Sequence, residues 1–199
     1  AAFGLDERTV KDWFRRSGLH CQAVHEHLME QTVLDLGQVQ ADEIKVKKQR
    51  GTVWMALALM VGARLWPGGV VSEKRDKTLI KALAGQVRQW VLRRPLLVEE
   101  VAIVQVVKQR TQDSLTITRR IAQGTAEQAA RLLGLTQNGG GINTAYIERL
   151  NAAFRQRLAL LVRRGRALAR QMETLQVGLC LVGCVYNFCT HHHSLRLKL

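Results

Sequence analysis

The chain has 199 residues, 47% of them apolar, and 30 Lys and Arg against 16 Asp and Glu, for a formal net charge of +14. This composition excludes a wholly disordered chain; 2 Pro and 16 Gly exclude collagen-like or linker-like chains, and 4 Cys are too few for a disulfide scaffold. The length suits one medium domain with a small appendage, and the surplus charge, mostly arginine with its bidentate grip on phosphate, predicts a polyanionic partner: nucleic acid, anionic membrane or an acidic protein.

The opening AAFGLDERTV is charged early, carries no apolar leader and lacks an initiator Met. It predicts a non-secreted chain with a processed or truncated start. Residues 3–29 then suggest two short helices. Asp6 stands near an N-cap, residues 8–16 carry Val10, Trp13 and Phe14 at i, i+3 and i+4, and Gly18 suits a C′ stop. A second helix is expected over 21–31. The pair has the form of a helix-turn-helix with basic residues on its first helix, or of an ordinary helical hairpin.

From Val39 the texture changes. Residues 39–48 alternate, 52–61 form a dense apolar run, and 64–72 carry Trp66-Pro67-Gly68-Gly69 before Val70-Val71. These predict three consecutive strands in an antiparallel meander. Over 76–93, Leu79, Ile80, Leu83, Val87, Trp90 and Val91 keep a helical period, and Pro95 ends it. A further strand is expected at 101–108 and a short helix at 125–135. A long helical region is expected at 142–170, where Ile147, Leu150, Phe154, Leu158 and Leu161 form a narrow apolar stripe. Seven Arg lie between 149 and 170 against one acid, Glu148. Residues 173–189 read as a buried helix, because the uncharged stretch 174–191 has too short an apolar part for a membrane span. A reducing cytoplasm with free thiols is the expected location. The order of elements fits an α/β or α+β sheet with helices packed on it.

Two acids draw attention. Asp42 lies within the first strand, where a half-buried carboxylate must be paired or bind metal, unless that strand is an edge facing solvent. Glu148 shares a helix face with Asn151 and Arg155, at i+3 and i+7, beside the apolar stripe. There it either borders an active site or pairs with a nearby Arg. A strand carboxylate packed beside a helix carboxylate on a basic protein has the makings of a divalent-cation site for phosphoryl chemistry.

The run Ile142-Asn143-Thr144-Ala145-Tyr146-Ile147-Glu148-Arg149-Leu150-Asn151 resembles the terminal catalytic helix of bacterial insertion-sequence DDE transposases, close to the IS-one type. Phe154-Arg155-Gln156-Arg157-Leu158 and Val182-Gly183-Cys184-Val185-Tyr186-Asn187-Phe188-Cys189 extend the likeness, and Gln40-Ala41-Asp42-Glu43 resembles the start of the same domain. The resemblance implies an RNase H-like domain over 37–199 and a DNA-binding helix-turn-helix over 1–36. It implies Asp42 as the first catalytic acid and Glu148 as the last, both as metal ligands, with Mg²⁺ or Mn²⁺ as cofactor. It further implies DNA contacts from Arg8, Lys11, Arg15, Arg16, Arg149, Asn151 and Arg155. Element ends and target DNA would be the partners, the protein would act as a homo-oligomer, and no membrane would be involved.

One departure stands out. The family's second Asp closes a strand in an apolar–Asp–Gly sequence, whereas here Pro95-Leu96-Leu97-Val98 runs straight into Glu99-Glu100-Val101. Glu99 or Glu100 are the available substitutes, and neither precedes Gly. The expectation is a shortened transposase impaired in catalysis, or a non-catalytic DNA binder derived from one. Cys21, His25 and His27 lack a second ligand pair for zinc, Cys180, Cys184 and Cys189 suit free core thiols, and no Walker or dinucleotide glycine motif is present.

Overall fold

β2 (Thr52–Met60) is buried along nearly its whole length, so it must be covered on both faces. In the computed structural model, which describes residues 4–32, 34, 37–91, 101–111, 114–137, 141–162, 168–192 and 195, β2 is the centre of an antiparallel sheet. β1 (Val39–Lys47) pairs with it from Val39↔Met60 to Lys47↔Thr52, and β3 (Leu65–Ser72) pairs on the other side with a register shift between Ala58 and Met60. The three-stranded meander expected from alternation is present. Pro67 sits in β3, an edge strand, where its missing N–H costs no ladder bond.

The pleat divides this sheet's side chains. Ala56 and Ala58 point to the face covered by α2 (Lys77–Val91), whose Leu79, Leu83 and Val87 pack on them. The Asp76 carboxylate accepts from the Thr78 N–H at 2.9 Å and so starts α2 where the sequence places it. The opposite face, with Ile44, Val46, Met55, Leu57 and Leu59, meets α4 (Ala145–Arg157) and α5 (Met172–Cys189). α5 approaches closely because Gly69 offers no Cβ: an added one would lie 2.9 Å from the Ala56 carbonyl oxygen and 3.1 Å from Leu179 Cδ1.

α5 is the one described helix long and apolar enough to cross a membrane. Its Leu175 and Leu179 are instead fully buried in this core, a packing compatible with a soluble protein.

The chain separates into two compact units, residues 1–91 with 147–199, and residues 92–146. The second holds β4 (Ile103–Arg110) and β5 (Leu115–Gln123), which pair antiparallel as a two-stranded sheet, followed by α3 (Ala126–Gln137). Among the described residues the architecture is thus mixed α/β, with five α-helices and two small antiparallel sheets.

Four expectations need correction. Residues 7–31 form one continuous helix, α1 (Glu7–Gln31), and no helix-turn-helix. Gly18 does not stop it: this glycine is a packing position where a Cβ would lie 2.2 Å from Val177 Cγ1 and 2.5 Å from the Val177 carbonyl oxygen. The expected apolar face of α1 is also displaced. Val10 and Trp13 are exposed, and the buried positions are Gly18, His25 and Met29.

The long helix over 142–170 is shorter. α4 ends at Arg157, Leu158 is extended at φ −111° and ψ 102°, and a 3₁₀ turn (Ala159–Leu161) follows. The break lets Leu158 and Leu161 both reach the core. β5 is a strand that the chain-order expectations did not include. The expected start of a strand at Pro95-Leu96-Leu97-Val98 lies outside the described residues.

Candidate functional site

β1 places Gln40 and Asp42 two residues apart on the face that meets α4. The buried Gln40 side chain accepts from the Ile147 N–H at 3.0 Å. It thereby satisfies one of the orphan donors in the first turn of α4. Four residues along the helix, Asn151 Nδ2 donates to Asp42 Oδ2 at 2.7 Å. Two residues of strand and four of helix span nearly the same length, about 6–7 Å, so strand and helix stay in step across both bonds. Asn143 starts the helix from the other side, its Oδ1 accepting from the Ala145 N–H at 3.1 Å.

Glu148 follows Ile147 directly and is exposed. By helical geometry it stands about one turn from Asn151, on the edge of the same face. Arg155 stands a turn beyond Asn151, is half-buried, and its charge acts on Asp42. Asn151 and Arg155 therefore meet the strand carboxylate along one seam, and Glu148 stands about one turn from Asn151 on the same helix.

The electrostatics of the seam centre on Asp42. Burial pushes its carboxyl above the usual value, and the neighbouring Glu43 charge pushes the same way. A backbone bond at Glu43, the Arg155 guanidinium and the Asn151 amide pull it down without cancelling the effect of burial. Asn151 is only 2% exposed, and its Oδ1 has no hydrogen-bond partner among the described residues. Asp42 and this oxygen are hard donors at the seam. No group of three or more His, Cys, Asp or Glu capable of holding a metal is assembled among the described residues.

Not every expected contact residue lies here. Asn151 is buried and committed to Asp42, so it is not a DNA-facing side chain. On α1, Lys11 pairs with Glu7 at 2.6 Å, Arg15 with Glu173 at 2.9 Å and Arg16 with Asp12 at 3.6 Å, while Arg8 is exposed. Arg149 on α4 is exposed. Glu99 and Glu100 lie outside the described residues. Gln40 was not singled out from the sequence, and its signal is its place two residues before Asp42 on one strand face. The thiols are free; Cys180 is buried but Cys189 is exposed, against the expectation of a core position. Burial pushes the Cys180 thiol up to about 11. Compared with known proteins, the chain matches no family model, no curated protein and no solved structure.

Proposed function

We propose that this chain is an insertion-sequence DNA transposase of the RNase H-like, DDE type, impaired in cleavage by the lack of a second acid. The observation that carries the reading is the 2.7 Å bond from Asn151 to Asp42, which ties the first strand to the helix bearing Glu148 and Arg155. The meander β1–β2–β3 followed by α2 agrees with the opening of such a domain.

Asp42 and Glu148 suit one Mg²⁺ or Mn²⁺ ion completed by water and substrate phosphate. Bound there, a cation would polarise a phosphodiester; cleavage with paired ions needs carboxylates on both sides of the phosphate. In the sequence the Asp residues after Asp42 are Asp76 and Asp113, and neither precedes Gly. The chain's own contribution is to hold Asp42 by Asn151 and to set Arg155 beside it as a counter-charge for substrate phosphate. Element ends and target DNA are the proposed substrates, in a homo-oligomer working in the cytoplasm.

A second reading, a non-catalytic DNA binder, rests on the sequence, where no Asp after Asp42 precedes Gly. A supercoiled-plasmid nicking assay in Mg²⁺ and in Mn²⁺, with Asp42→Ala and Glu148→Ala as controls, separates the two. Binding that weakens with salt, at a slope of about −0.9 per phosphate contact, without nicking, is expected. Robust nicking abolished by both controls would overturn the impairment, and absence of DNA binding would overturn the transposase reading.

A further inference from the structure

All 4 cysteines of the chain lie on two helices of one unit: Cys21 on α1, and Cys180, Cys184 and Cys189 on α5. The seam chemistry uses none of them. α1 and α5 run in the same direction, since Arg15 meets Glu173 and Gly18 meets Val177 in order along both. A Cβ on Gly18 would lie 2.5 Å from the Val177 carbonyl oxygen, and one on Gly178 would lie 3.1 Å from Phe14 Cζ. Two glycines thus let the backbones approach where larger side chains would hold them apart.

A second clamp lies farther along. The Trp66 indole packs on His25 of α1, with 4.8 Å between ring centroids, and it covers Gly183 of α5 so closely that no Cβ would fit. His25 is fixed in turn by its Nε2 contact with the Pro67 carbonyl oxygen at 3.2 Å. Cys21 lies between the two clamps, about one turn before His25, and Cys184 follows Gly183 directly. The Cys21 and Cys184 side chains are hydrogen-bonded to each other. A disulfide needs Cα atoms about 4.4–6.8 Å apart, a range that packed helices reach only where their backbones come close, as these do.

The other pairings fit less well. Cys180 and Cys184 stand at i and i+4 on one helix, about 5–6 Å between Cβ atoms against about 3.5–4.5 Å in a disulfide. Cys180 is also buried, and its thiol is hydrogen-bonded to Gln176. Cys189 is exposed, but five residues past Cys184 it points to another side of α5. Cys21 and Cys184 are both half-buried, so a small reagent can reach them.

We propose that Cys21 and Cys184 form a dithiol site which a small-molecule disulfide, such as oxidised glutathione, converts into an intramolecular cross-link tying α1 to α5. This does not depend on the DNA reading. The Cys21 thiolate attacks one sulfur of the reagent, breaks its S–S bond and releases one glutathione thiolate, which takes up a proton. Burial, with the Cys21 hydrogen bond pushing the same way, raises the Cys184 thiol to about 11, so Cys184 acts second, on the mixed disulfide held beside it. Its sulfur loses its proton, attacks Cys21 Sγ and expels the second glutathione. Two protein thiols are oxidised by two electrons, and one glutathione disulfide is reduced to two glutathiones.

The test incubates the folded full chain with oxidised glutathione, blocks remaining thiols with N-ethylmaleimide and maps the tryptic peptides by mass spectrometry without reduction. Cys21 falls in peptide 17–45, and the three α5 cysteines fall in peptide 171–196. A monomer with those two peptides cross-linked, maleimide on Cys180 and Cys189, and reversal by dithiothreitol are expected. Cys184→Ser should abolish the cross-link and Cys180→Ala should keep it. The bridged chain should unfold about 5–15 °C above the reduced one, because the bond constrains the unfolded state. A bridge mapped to another pair, glutathione retained with no bridge, or dimers linked between chains would each overturn the proposal. So would an equal yield of the same bridge from the urea-unfolded chain, since the fold would then not select the pair.

Discussion

Asp42 carries two opposed influences, and their balance is measurable. Burial and the Glu43 charge disfavour its ionised form; Arg155 and Asn151 favour it. The raised native value means burial wins. An acid whose native pKa exceeds its unfolded value holds its proton longer in the folded state. Its contribution to stability is then greatest at low pH and falls as pH rises from the ordinary value of 3.8 through the raised native value. Asp42→Asn removes the charge and nearly keeps the shape. Urea denaturation should show the variant gaining on the native protein as pH rises above about 4. A native protein that gains on the variant over that range would show that Arg155 and Asn151 outweigh burial. A residue that is costly when ionised, yet held by a buried amide with an unpartnered oxygen, is the kind of local disagreement that functional sites carry.

Among the elements, α1 and α5 illustrate how much a single glycine decides. By helix propensity alone, Gly→Ala in a helix should stabilise by roughly 1 kcal/mol. At Gly85 in α2 an added Cβ meets nothing within 4 Å, so Gly85→Ala should realise that gain. At Gly18 the same change meets the Val177 side chain at 2.2 Å and its carbonyl oxygen at 2.5 Å. The backbone oxygen has no rotamer to move to, so α1 and α5 must separate. Overpacking of this kind costs about 1–3 kcal/mol, which exceeds the propensity gain. Thermal unfolding of the two variants should therefore show opposite signs, and a stabilised Gly18→Ala would break the account of this packing.

The same glycine explains what the sequence made legible. The meander, α2, α5 and the stripe Ile147–Leu150–Phe154 follow the periods that burial imposes, and they could be read directly. α1 could not, because Gly18 as a stop and Gly18 as a contact look alike until the partner helix is known. α4 was read too long, since Leu158 and Leu161 continue the 3.6 period while the backbone leaves it. β5 has a legible period, Leu115 and Ile117 alternating with Thr116 and Thr118, that the flanking charges obscured. Asp42 and the Glu148 face were visible as chemistry; the Asn151 bond between strand and helix depends on which elements pack together.

At the scale of the molecule, the two units should differ in how firmly they are held. β2 lies in the middle of a three-stranded sheet, with α2 on one face, α4 and α5 on the other, and six consecutive buried residues from Met55 to Met60. Exposing its amides requires breaking both cores. Among the described residues β4 and β5 have only each other as strand partners, and β5 is exposed from Leu115 to Ala122. Opening a two-stranded ribbon forfeits little buried apolar surface, so its amides should exchange by local opening at much lower free energy than the global value. Native-state hydrogen exchange should find β2 amides protected to the limit set by global unfolding, and β4–β5 amides exchanging well ahead of them. Equal protection of β2 and the ribbon would mean that the ribbon draws stability from packing beyond its own ladder.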